Sequence, residues 1–311
     1  LGGSVGYRSL LHYLMYYAAE ALISTHVQPA APDKVIYFRL AQHGLHASGR
    51  QVYLKHGIIN NAMDWLHHGS LYIDLFACGA EPEYEHIRST YGFPDGVVRY
   101  LGLCRYDSLQ NPGSGERMIL LMPTWRGSGY PSGDAFYDTE YCRSFRSLLA
   151  SPELVRLLEE SDTHLVFYPH IEMQRYIDCF RAGSDRIVIA DAGSHDVQEL
   201  LRSCAVLITD HSSVFFDVAY LGKPVIYYQF DEEEFRAKHY KAGYFDCRRD
   251  GFGPVCTGEA ELLSALRHCI ESGMVPDAEY RQRAERFFPL RDKNNCCRTY
   301  EAVREITSER R

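Results

Sequence analysis

Three features that would assign a chain to a large functional class are missing from this sequence. It has no excess of basic residues: the formal net charge is −8, which argues against nucleic acid as a main partner because a phosphate backbone requires a basic face. Its ten cysteines contain no CxxC pair, so a zinc site of the usual spacing is not expected. Scattered thiols are typical of a reducing cytosol, which predicts a cytoplasmic protein.

Long hydrophobic runs are also missing. The most apolar stretch, Leu10–Ile23, is shorter than a membrane-spanning helix and contains His12 and Glu20. We predict a core helix there; a Tyr-rich face that touches a membrane and a missing preceding segment are the alternatives. The sequence shows no signal peptide and begins at Leu1 rather than at methionine, which predicts a chain trimmed at its start.

Strand and helix patterns alternate along most of the 311 residues, a length that suits two domains. In the first part the patterns predict helices near 9–24 and Pro82–Tyr91, and strands near Val35–Leu40, Gln51–Leu54, Tyr72–Ala77 and Arg99–Leu103. Ser108–Glu116 is rich in turn residues and is the best linker candidate.

The second part of the chain alternates more regularly. Strands are predicted at Met118–Met122, His164–Tyr168, Arg186–Ala190, Ala205–Thr209 and Pro224–Gln229. Helices are predicted at Asp138–Glu160 (broken at Pro152), Met173–Ala182, Asp196–Cys204, Ser213–Leu221, 259–272, 277–287 and 293–308. This alternation predicts an α/β fold in which parallel sheets carry helices on both faces.

Polar side chains follow five of the predicted strands, at the point where each strand ends. They are Thr124 and Arg126, Pro169–His170, Asp191, Asp210–His211–Ser212–Ser213 and, in the first part, Lys55–His56–Gly57. Ligands bind outside the carboxyl ends of strands in open α/β sheets, so the pattern predicts a binding cleft. A surface ion pair for Arg126, a chain turn at His170 and a turn cap at Asp191 are the simpler alternatives.

Ser212 and Ser213 lie at the first turn of an apolar helix, where free backbone N–H groups and the helix dipole favour a phosphate. Asp217 lies one turn beyond Ser213, so the two side chains share a face. A carboxylate there is suited to bind a ligand hydroxyl or to orient Ser213 or a neighbouring cation. Capping of the helix is the simpler alternative for the serines.

Several blocks of the sequence resemble one known family. They are ITDHSSVFFDVAYLGKPVIYYQFDEEEF, PTWR, YPH, KHG, HYKAGYFDCRRDGFGPV and FFPLRDKNNCCRTYEAV, and together they cover most of residues 50–303. The chain resembles the CDP-glycerol:poly(glycerophosphate) glycerophosphotransferases, the polymerases and primases that build the glycerol- or ribitol-phosphate polymers of teichoic acids and capsules. The Ser-Ser block is the specific part of this resemblance.

The resemblance implies a GT-B-like fold, in which two Rossmann-like domains face a cleft. It places an N-terminal acceptor-side domain at 1–110, short at its start, and a CDP-alditol-binding domain at 117–290. A C-terminal helix, 291–311, is expected to pack back on the N-terminal domain. The implied reaction is the attack of an acceptor hydroxyl on the β-phosphorus of CDP-glycerol, with release of CMP.

By the same resemblance, His56 is the catalytic base and His170 is a second catalytic histidine at the diphosphate. The implied substrate-binding residues are Arg126, Thr124, Ser212, Ser213, Asp217 and Asp210. The family often has tyrosine where His211 stands, so His211 is left out of this set. No metal ligand is assigned, and the diphosphate can be neutralised by Mg²⁺ or by Arg126, His170 and the helix end without it.

Other functions remain open at this stage. The donor could be CDP-ribitol, because the Leu54–Ile58 and Pro169–Glu172 motifs depart from the family pattern. A GT-B glycosyltransferase that uses a nucleotide sugar and a nucleotide-binding scaffold are the further alternatives. The implied acceptor is a prenyl-lipid-linked or polyol-phosphate chain, which would bring the protein to the inner face of the plasma membrane.

Overall fold

The computed structural model describes residues 4–26, 49–111, 113, 117–127, 130–238 and 241–308, together with residues 31, 33, 35, 39 and 43. Within the chain, two compact units can be distinguished. Unit 1 comprises residues 1–59, 63–108 and 287–311, and unit 2 comprises residues 60–62 and 109–286. Each unit is described by itself below.

Unit 1 is built on a four-stranded parallel sheet with the order β1-β2-β3-β4. Its strands are β1 (Ala21–Ser24), β2 (Arg50–Tyr53), β3 (Leu75–Cys78) and β4 (Val98–Tyr100). Its helices are α1 (Leu10–Ala18), α2 (Glu81–Thr90), α3 (Arg105–Leu109) and α12 (Asn295–Ser308), with a 3₁₀ turn at His68–Ser70. The described strands run in one direction, so their carboxyl ends lie along one edge.

The helix predicted near 9–24 is wrong in its second half. Helix α1 ends at Ala18, and Ala21–Ser24 pairs with Arg50–Tyr53 as strand β1. The prediction of a core helix is also wrong, because α1 buries Tyr16 while Leu10, Leu11, Leu14 and Met15 are exposed. Periodicity cannot separate a helix from a strand in a short apolar run, and a distant partner strand decides here. Most of the strand predicted at Val35–Leu40 lies outside the described residues.

Both faces of the unit 1 sheet are covered. On one face, Ala302 and Ile306 of the C-terminal helix α12 pack against Val52, Leu75 and Ala77. On the other, α2 and the surrounding loops bury a second cluster, whose members include Ile87, Phe76, Cys78, Leu66 and Tyr91. The strands are therefore apolar on both sides, as expected for a parallel sheet.

Unit 2 contains a six-stranded parallel sheet. Its strands are β5 (Met118–Leu121), β6 (His164–Phe167), β7 (Ile187–Ile189), β8 (Cys204–Thr209), β9 (Val225–Tyr228) and β10 (Val255–Cys256). Its helices are α4 (Glu140–Leu149), α5 (Pro152–Glu160), α6 (Val197–Ser203), α7 (Val214–Tyr220), α8 (Glu232–Lys238), α9 (Cys247–Asp250), α10 (Glu259–Glu271) and α11 (Ala278–Phe287). The predicted α/β class and parallel strands are confirmed.

The strand order of unit 2 defines where a ligand is expected. The order β10-β9-β8-β5-β6-β7 runs outward in both directions from β5, the first strand of the sheet along the chain. The connection from β5 leads to β6 on one side, whereas β8 borders β5 on the other. Such a reversal opens a crevice at the carboxyl ends of the two central strands, and here those strands end at Leu121 and Thr209.

Some local predictions for unit 2 need correction. Met173–Ala182 was predicted as an ordinary helix, but Ile171–Cys179 is a 3₁₀ segment that is kinked at Tyr176. The elements α8, α9 and β10 are absent from the prediction. Helix α9 and strand β10 have too few residues to show a periodic pattern, and α8 buries only Phe235. No helix among the described residues is long and apolar enough to cross a membrane.

Candidate active site

The carboxyl edge of the unit 2 sheet gathers most of the residues that the sequence predicted. Thr124 follows β5, His170 follows β6, and Ser212 and Ser213 follow β8. Strands β5 and β8 are joined at this edge, because the Thr124 backbone N–H donates to Asp210 Oδ1 (2.8 Å). Three strand ends thus meet at the crevice between β5 and β8.

Arg126 and Asp210 are buried beneath this edge. Arg126 Nη2 lies 2.7 Å from Asp210 Oδ2, and its Nε donates to Asp231 Oδ2 (2.6 Å). Its Nη1 donates to the Thr124 carbonyl (3.0 Å). Arg126 is 4% exposed and Asp210 is 0% exposed. This enclosed environment differs from the direct phosphate contact that the resemblance implied for Arg126.

The opposite charges of Arg126 and Asp231 stabilise each other's ionised forms. Burial alone would lower the pKa of the Arg126 guanidinium, but the carboxylates of Asp210 and Asp231 hold that pKa raised. Burial would likewise raise the pKa of Asp231, but contacts with His211 and Arg126 keep it below its usual value. Two carboxylates, those of Asp210 and Asp231, therefore share one guanidinium in a protected environment.

His211, which the sequence analysis left unassigned, completes the network. Its ring stacks on Phe235 with the centroids 3.9 Å apart and the planes at 8°. Its Nε2 lies 3.6 Å from Asp231 Oδ1, and its Nδ1 lies 3.4 Å from Gln229 Nε2. Sequence reasoning missed Asp231 and Gln229. Asp231 lies two positions beyond the predicted strand Pro224–Gln229, so the rule applied to the other strand ends would have found it. Gln229 was missed because it was counted as the last residue of that strand, which ends at Tyr228.

Ser212 and Ser213 are half-buried at the start of α7. The Ser213 side chain makes no capping hydrogen bond to this helix. The Ser213 hydroxyl therefore does not cap this helix. Asp217 is buried on the same helix, 2% exposed. Its carboxylate is not open to solvent, in contrast to the predicted ligand contact.

His170 lies half-buried beside Trp125, and the two rings stack with their centroids 6.0 Å apart. Its Nδ1 accepts from the Glu172 backbone N–H (3.2 Å). In the neutral ring the proton is therefore on Nε2. Burial lowers the pKa of His170, while Glu172 and Asp210 oppose this shift. His170 can thus offer an N–H donor while it is neutral.

Asp191, which follows β7, is a turn cap. Its Oδ1 accepts from the backbone N–H groups of Gly193 and Ser194, both at 2.9 Å. The simpler interpretation of this residue is confirmed.

Unit 1 contains the other predicted catalytic residue, His56, at the carboxyl end of β2. Its ring stacks on His26 with the centroids 5.3 Å apart and the planes at 25°. Its pKa is lowered, first by burial and then by His26, and the nearby charges of Arg105 and Lys55 act in the same direction. A hydrogen bond to the Thr25 backbone opposes the shift. With one ring nitrogen bonded to that backbone, the neutral ring keeps the other nitrogen as a proton acceptor.

The two histidines are therefore prepared for different tasks. Neutral His56 can accept a proton, whereas neutral His170 can donate a hydrogen bond to an anion. In the part of the chain that the structure describes, no group of three or more His, Cys, Asp or Glu side chains could hold a metal ion.

Comparison with known proteins agrees with the sequence resemblance. Residues 105–305 match the model of a family described as CDP-Glycerol:Poly(glycerophosphate) glycerophosphotransferase. The chain is 30% identical over 321 residues to the minor teichoic acid biosynthesis protein GgaB of Bacillus subtilis (strain 168), a match that covers 99% of the chain and 35% of GgaB. It is 38% identical over 156 residues to the teichoic acid poly(glycerol phosphate) polymerase of the same strain, covering 49% of the chain and 19% of the polymerase.

The fold also has a solved relative. The structure of the wall teichoic acid polymerase TagF aligns with a TM-score of 0.68 at 18% identity, over 96% of this chain and 76% of the TagF chain. At this identity the likeness establishes the fold. The chain spans 35% of the length of GgaB and 19% of the length of the glycerol phosphate polymerase.

Proposed function

Because the chain belongs to the CDP-glycerol:poly(glycerophosphate) glycerophosphotransferase family, we propose that it is a phosphotransferase of teichoic acid or capsule synthesis. In the proposed reaction it transfers glycerol phosphate from CDP-glycerol to a hydroxyl of a lipid-linked or growing polyol-phosphate acceptor and releases CMP. The observation that carries the proposal is the meeting of Thr124, His170 and Ser212–Ser213 at the crevice of the unit 2 sheet.

Unit 2 holds the donor in this proposal. The diphosphate is negatively charged, so the side chains that contact it should be hydrogen-bond donors and should not themselves be anionic. His170 supplies Nε2–H, and Ser212 and Ser213 supply hydroxyls beside the first backbone N–H groups of α7. Such donors stabilise the charge that gathers on the diphosphate as the bond to CMP breaks.

The buried network serves this site by positioning. Asp210 fixes the Thr124 backbone, and its Oδ1 also accepts from the His211 N–H (2.6 Å) at the start of the Ser-Ser turn. Arg126 holds Asp210 and Asp231 together. We propose that these side chains set the spacing between the ends of β5 and β8 and do not contact the donor themselves.

His56 of unit 1 is the proposed general base. Its lowered pKa keeps the ring neutral at pH 7, so it can take the proton of the acceptor hydroxyl. The hydroxyl oxygen then forms a bond to the β-phosphorus, and the bond from that phosphorus to the bridging oxygen breaks. The electron pair of the broken bond leaves with CMP, and the proton stays on His56.

Mass spectrometry of reaction products tests the proposed function. The protein is incubated with a defined prenyl-linked acceptor and either CDP-glycerol or CDP-ribitol. We expect CMP and an acceptor extended by one or more polyol phosphates. No turnover with either donor would contradict the proposal; turnover of a nucleotide sugar would identify a glycosyltransferase, and binding without turnover would identify a scaffold. Turnover of CDP-ribitol alone would assign the alternative donor.

The same assay tests the role of His56. The His56→Ala variant should lose about 10²- to 10⁴-fold in turnover, the usual contribution of a general base. Binding of CDP-glycerol should be nearly unchanged, because the proposed donor site is in unit 2. His195→Ala is the matched control, since His195 is a half-buried loop histidine of unit 2 that the mechanism does not use. Full activity of His56→Ala would exclude this residue as the base.

We also propose that α1 contacts the membrane that carries the acceptor. This nine-residue helix has no charged side chain except His12 when protonated, and it exposes Leu10, Leu11, Leu14 and Met15. Exposed apolar and tyrosine side chains suit the interface of a bilayer. Co-sedimentation with phosphatidylglycerol vesicles should be lost when Leu11 and Leu14 are replaced by Asp. Val275→Asp, at an exposed apolar position of unit 2, is the control.

A further inference from the structure

A buried ion pair lies directly behind His56. Lys55 and Glu83 form a salt bridge in which the exposed fractions of the side chains are 1% and 0%. The Lys55 ammonium also lies 5.7 Å from the centre of the Phe76 ring. Burying two charges is costly, and such a pair adds little net stability over apolar residues of similar size. Its presence next to a proposed catalytic residue therefore calls for another explanation.

Glu83 binds more than its ion-pair partner. Its Oε1 accepts from the Ile59 N–H (2.6 Å), and its Oε2 accepts from the Gly79 N–H (2.8 Å). Gly79 follows β3, whereas Lys55 and Ile59 flank the residues that follow β2. One carboxylate thus ties together the loops at the ends of two neighbouring strands. Glu83 contacts Lys55 and Ile59 in the loop after β2, and His56 lies between these two residues.

The backbone at Lys55 is bent to allow this arrangement. Lys55 has φ +61, in the left-handed region that a non-glycine residue enters at a cost of roughly 1–2 kcal/mol. The bend sends the Lys55 side chain into the core, while His56 is exposed. Arg105 donates to the His56 backbone carbonyl. The strained residue is held in place by the Lys55–Glu83 contact.

We propose that the Lys55–Glu83 pair is the positioning device of His56: it fixes the bent loop after β2 so that the imidazole faces outward beside His26 and Arg105. The proposal rests on the proposed function in so far as His56 is the base. Lys55 and Glu83 are positioning residues and touch no substrate. A substitution of Lys55 or of Glu83 that breaks the pair should therefore lower turnover by displacing His56.

The surroundings of His56 agree with this assignment. The groups that face its ring or lie close to it are His26, the Thr25 backbone, Arg105 and Lys55. Burial and the cationic neighbours lower the pKa of His56, as a base that must stay neutral requires. If the loop relaxed toward solvent, the partly covered ring would become more exposed and would lose its contact with His26, so its pKa would return toward the ordinary value.

The test combines two measurements on the full chain. The titration of the His56 ring is followed by NMR of histidine-labelled protein, and turnover of CDP-glycerol is resolved into kcat and KM. The variants are Glu83→Gln and Lys55→Met. The control is Glu85→Gln, which removes an exposed ion pair with Arg88 (3.0 Å) on the same helix. If Glu83→Gln and Lys55→Met do not fold, the same measurements are made on Glu83→Asp and Lys55→Arg, which keep the charges but change the length or shape of the side chain.

We expect the folded Glu83 and Lys55 variants to lose about 10- to 100-fold in kcat, the effect of misplacing a catalytic group by about 1 Å. The KM for CDP-glycerol should stay close to that of the parent, and the midpoint of the His56 titration should rise in Glu83→Gln. Because loss of the Lys55 charge by itself raises this midpoint, kcat is the deciding measurement for Lys55→Met. Glu85→Gln should match the parent in both measurements.

An unchanged kcat in folded variants at Glu83 or Lys55, together with an unchanged His56 titration in Glu83→Gln, would overturn the proposal and leave the pair a structural one. If the parent protein turns over no CDP-alditol, the proposed function fails. The His56 titration then still decides whether the pair positions this ring.

Discussion

At the scale of single residues, two histidines with lowered pKa values differ in what they can do. His170 accepts a hydrogen bond on Nδ1 from the Glu172 backbone, so its neutral form donates through Nε2. His56 is bonded to the Thr25 backbone and is stacked on His26, so its neutral form can accept a proton. Local backbone contacts, more than the residue type, thus distinguish the proposed base from the proposed anion donor.

Replacement of His26 tests this interpretation of His56. The charge of His26 lowers the pKa of His56, and the His26→Phe change removes the charge while it keeps a stacking ring. His56 must be neutral to act as a base, so activity falls as the pH drops through the pKa of His56. Because the substitution raises that pKa, the acidic limb of the kcat profile should move to higher pH.

The control for this prediction is His268→Phe, at an exposed histidine of α10 in unit 2. It should leave the pH profile unchanged. An acidic limb that stays in place or moves to lower pH in His26→Phe would show that His26 does not act on His56 through its charge.

At the scale of elements, loops at the carboxyl ends of strands carry the proposed site, while helix starts hold the loops in place. Glu83, in the first turn of α2, binds the loop after β2. Asp107, in α3, binds the start of α12: its carboxylate accepts from the Asn295 N–H (3.0 Å) and the Cys296 N–H (2.8 Å). Carboxylates near the first turns of helices are favourable because free N–H groups point at them.

The substitution Asp107→Asn should destabilise unit 1 by about 1–2 kcal/mol, because one acceptor of the helix start is replaced by a donor. Burial alone would raise the pKa of Asp107, but the hydrogen bonds from Cys296 and Asn295 lower it. The stabilisation is therefore present above the ordinary carboxyl pKa and is lost as the pH falls through the lower folded pKa.

Urea unfolding at several pH values measures this effect. The difference between parent and Asp107→Asn should be largest near neutral pH and shrink below about pH 4, where the unfolded carboxyl begins to bind a proton. Asp95→Asn, at an exposed turn residue, is the control and should leave stability unchanged. An equal deficit at all pH values would mean that the charge of Asp107 has no part in it.

At the scale of the whole molecule, two units of similar construction carry different chemistry. Both contain parallel sheets whose strand ends bear the functional side chains. Unit 1 contains the proposed base with its titratable neighbours, and unit 2 contains the proposed hydrogen-bond donors and a buried charge network. The chain has a net charge of −8, which repels an anionic ligand. Local hydrogen-bond donors are therefore important for holding such a ligand.

Hydrogen exchange with and without CDP-glycerol tests this division of labour. Protection should appear in unit 2 at residues 124–126, 170–173 and 211–214, because these backbone segments border the proposed diphosphate site. The pattern should be similar for CMP, except at the segments that contact the transferred group. UDP serves as the nucleotide control. Protection by CDP-glycerol limited to the loop after β2 would place the donor in unit 1 and contradict the proposal.

Much of this could be predicted from residues close together in the sequence. The Asp210–Ser213 block shows both the end of a buried strand and the start of a helix, so the site at the end of β8 was predictable. Strand β1 was not predictable in this way, because Ala21–Ser24 becomes a strand only by pairing with β2. The paired residues Ala21 and Arg50 are 29 positions apart in the sequence. Pairing over such a distance leaves no local pattern.

The sequence by itself determined the alternation of strands and helices, the family, and the side chains that follow the strands. Tertiary structure decided what those side chains face. Arg126 reaches Asp231, 105 positions along the chain, and the pair is buried. Lys55 turns inward to Glu83 while its neighbour His56 is exposed. Burial and charge pairing depend on contacts between distant segments, and those contacts exist only once the sheets have formed.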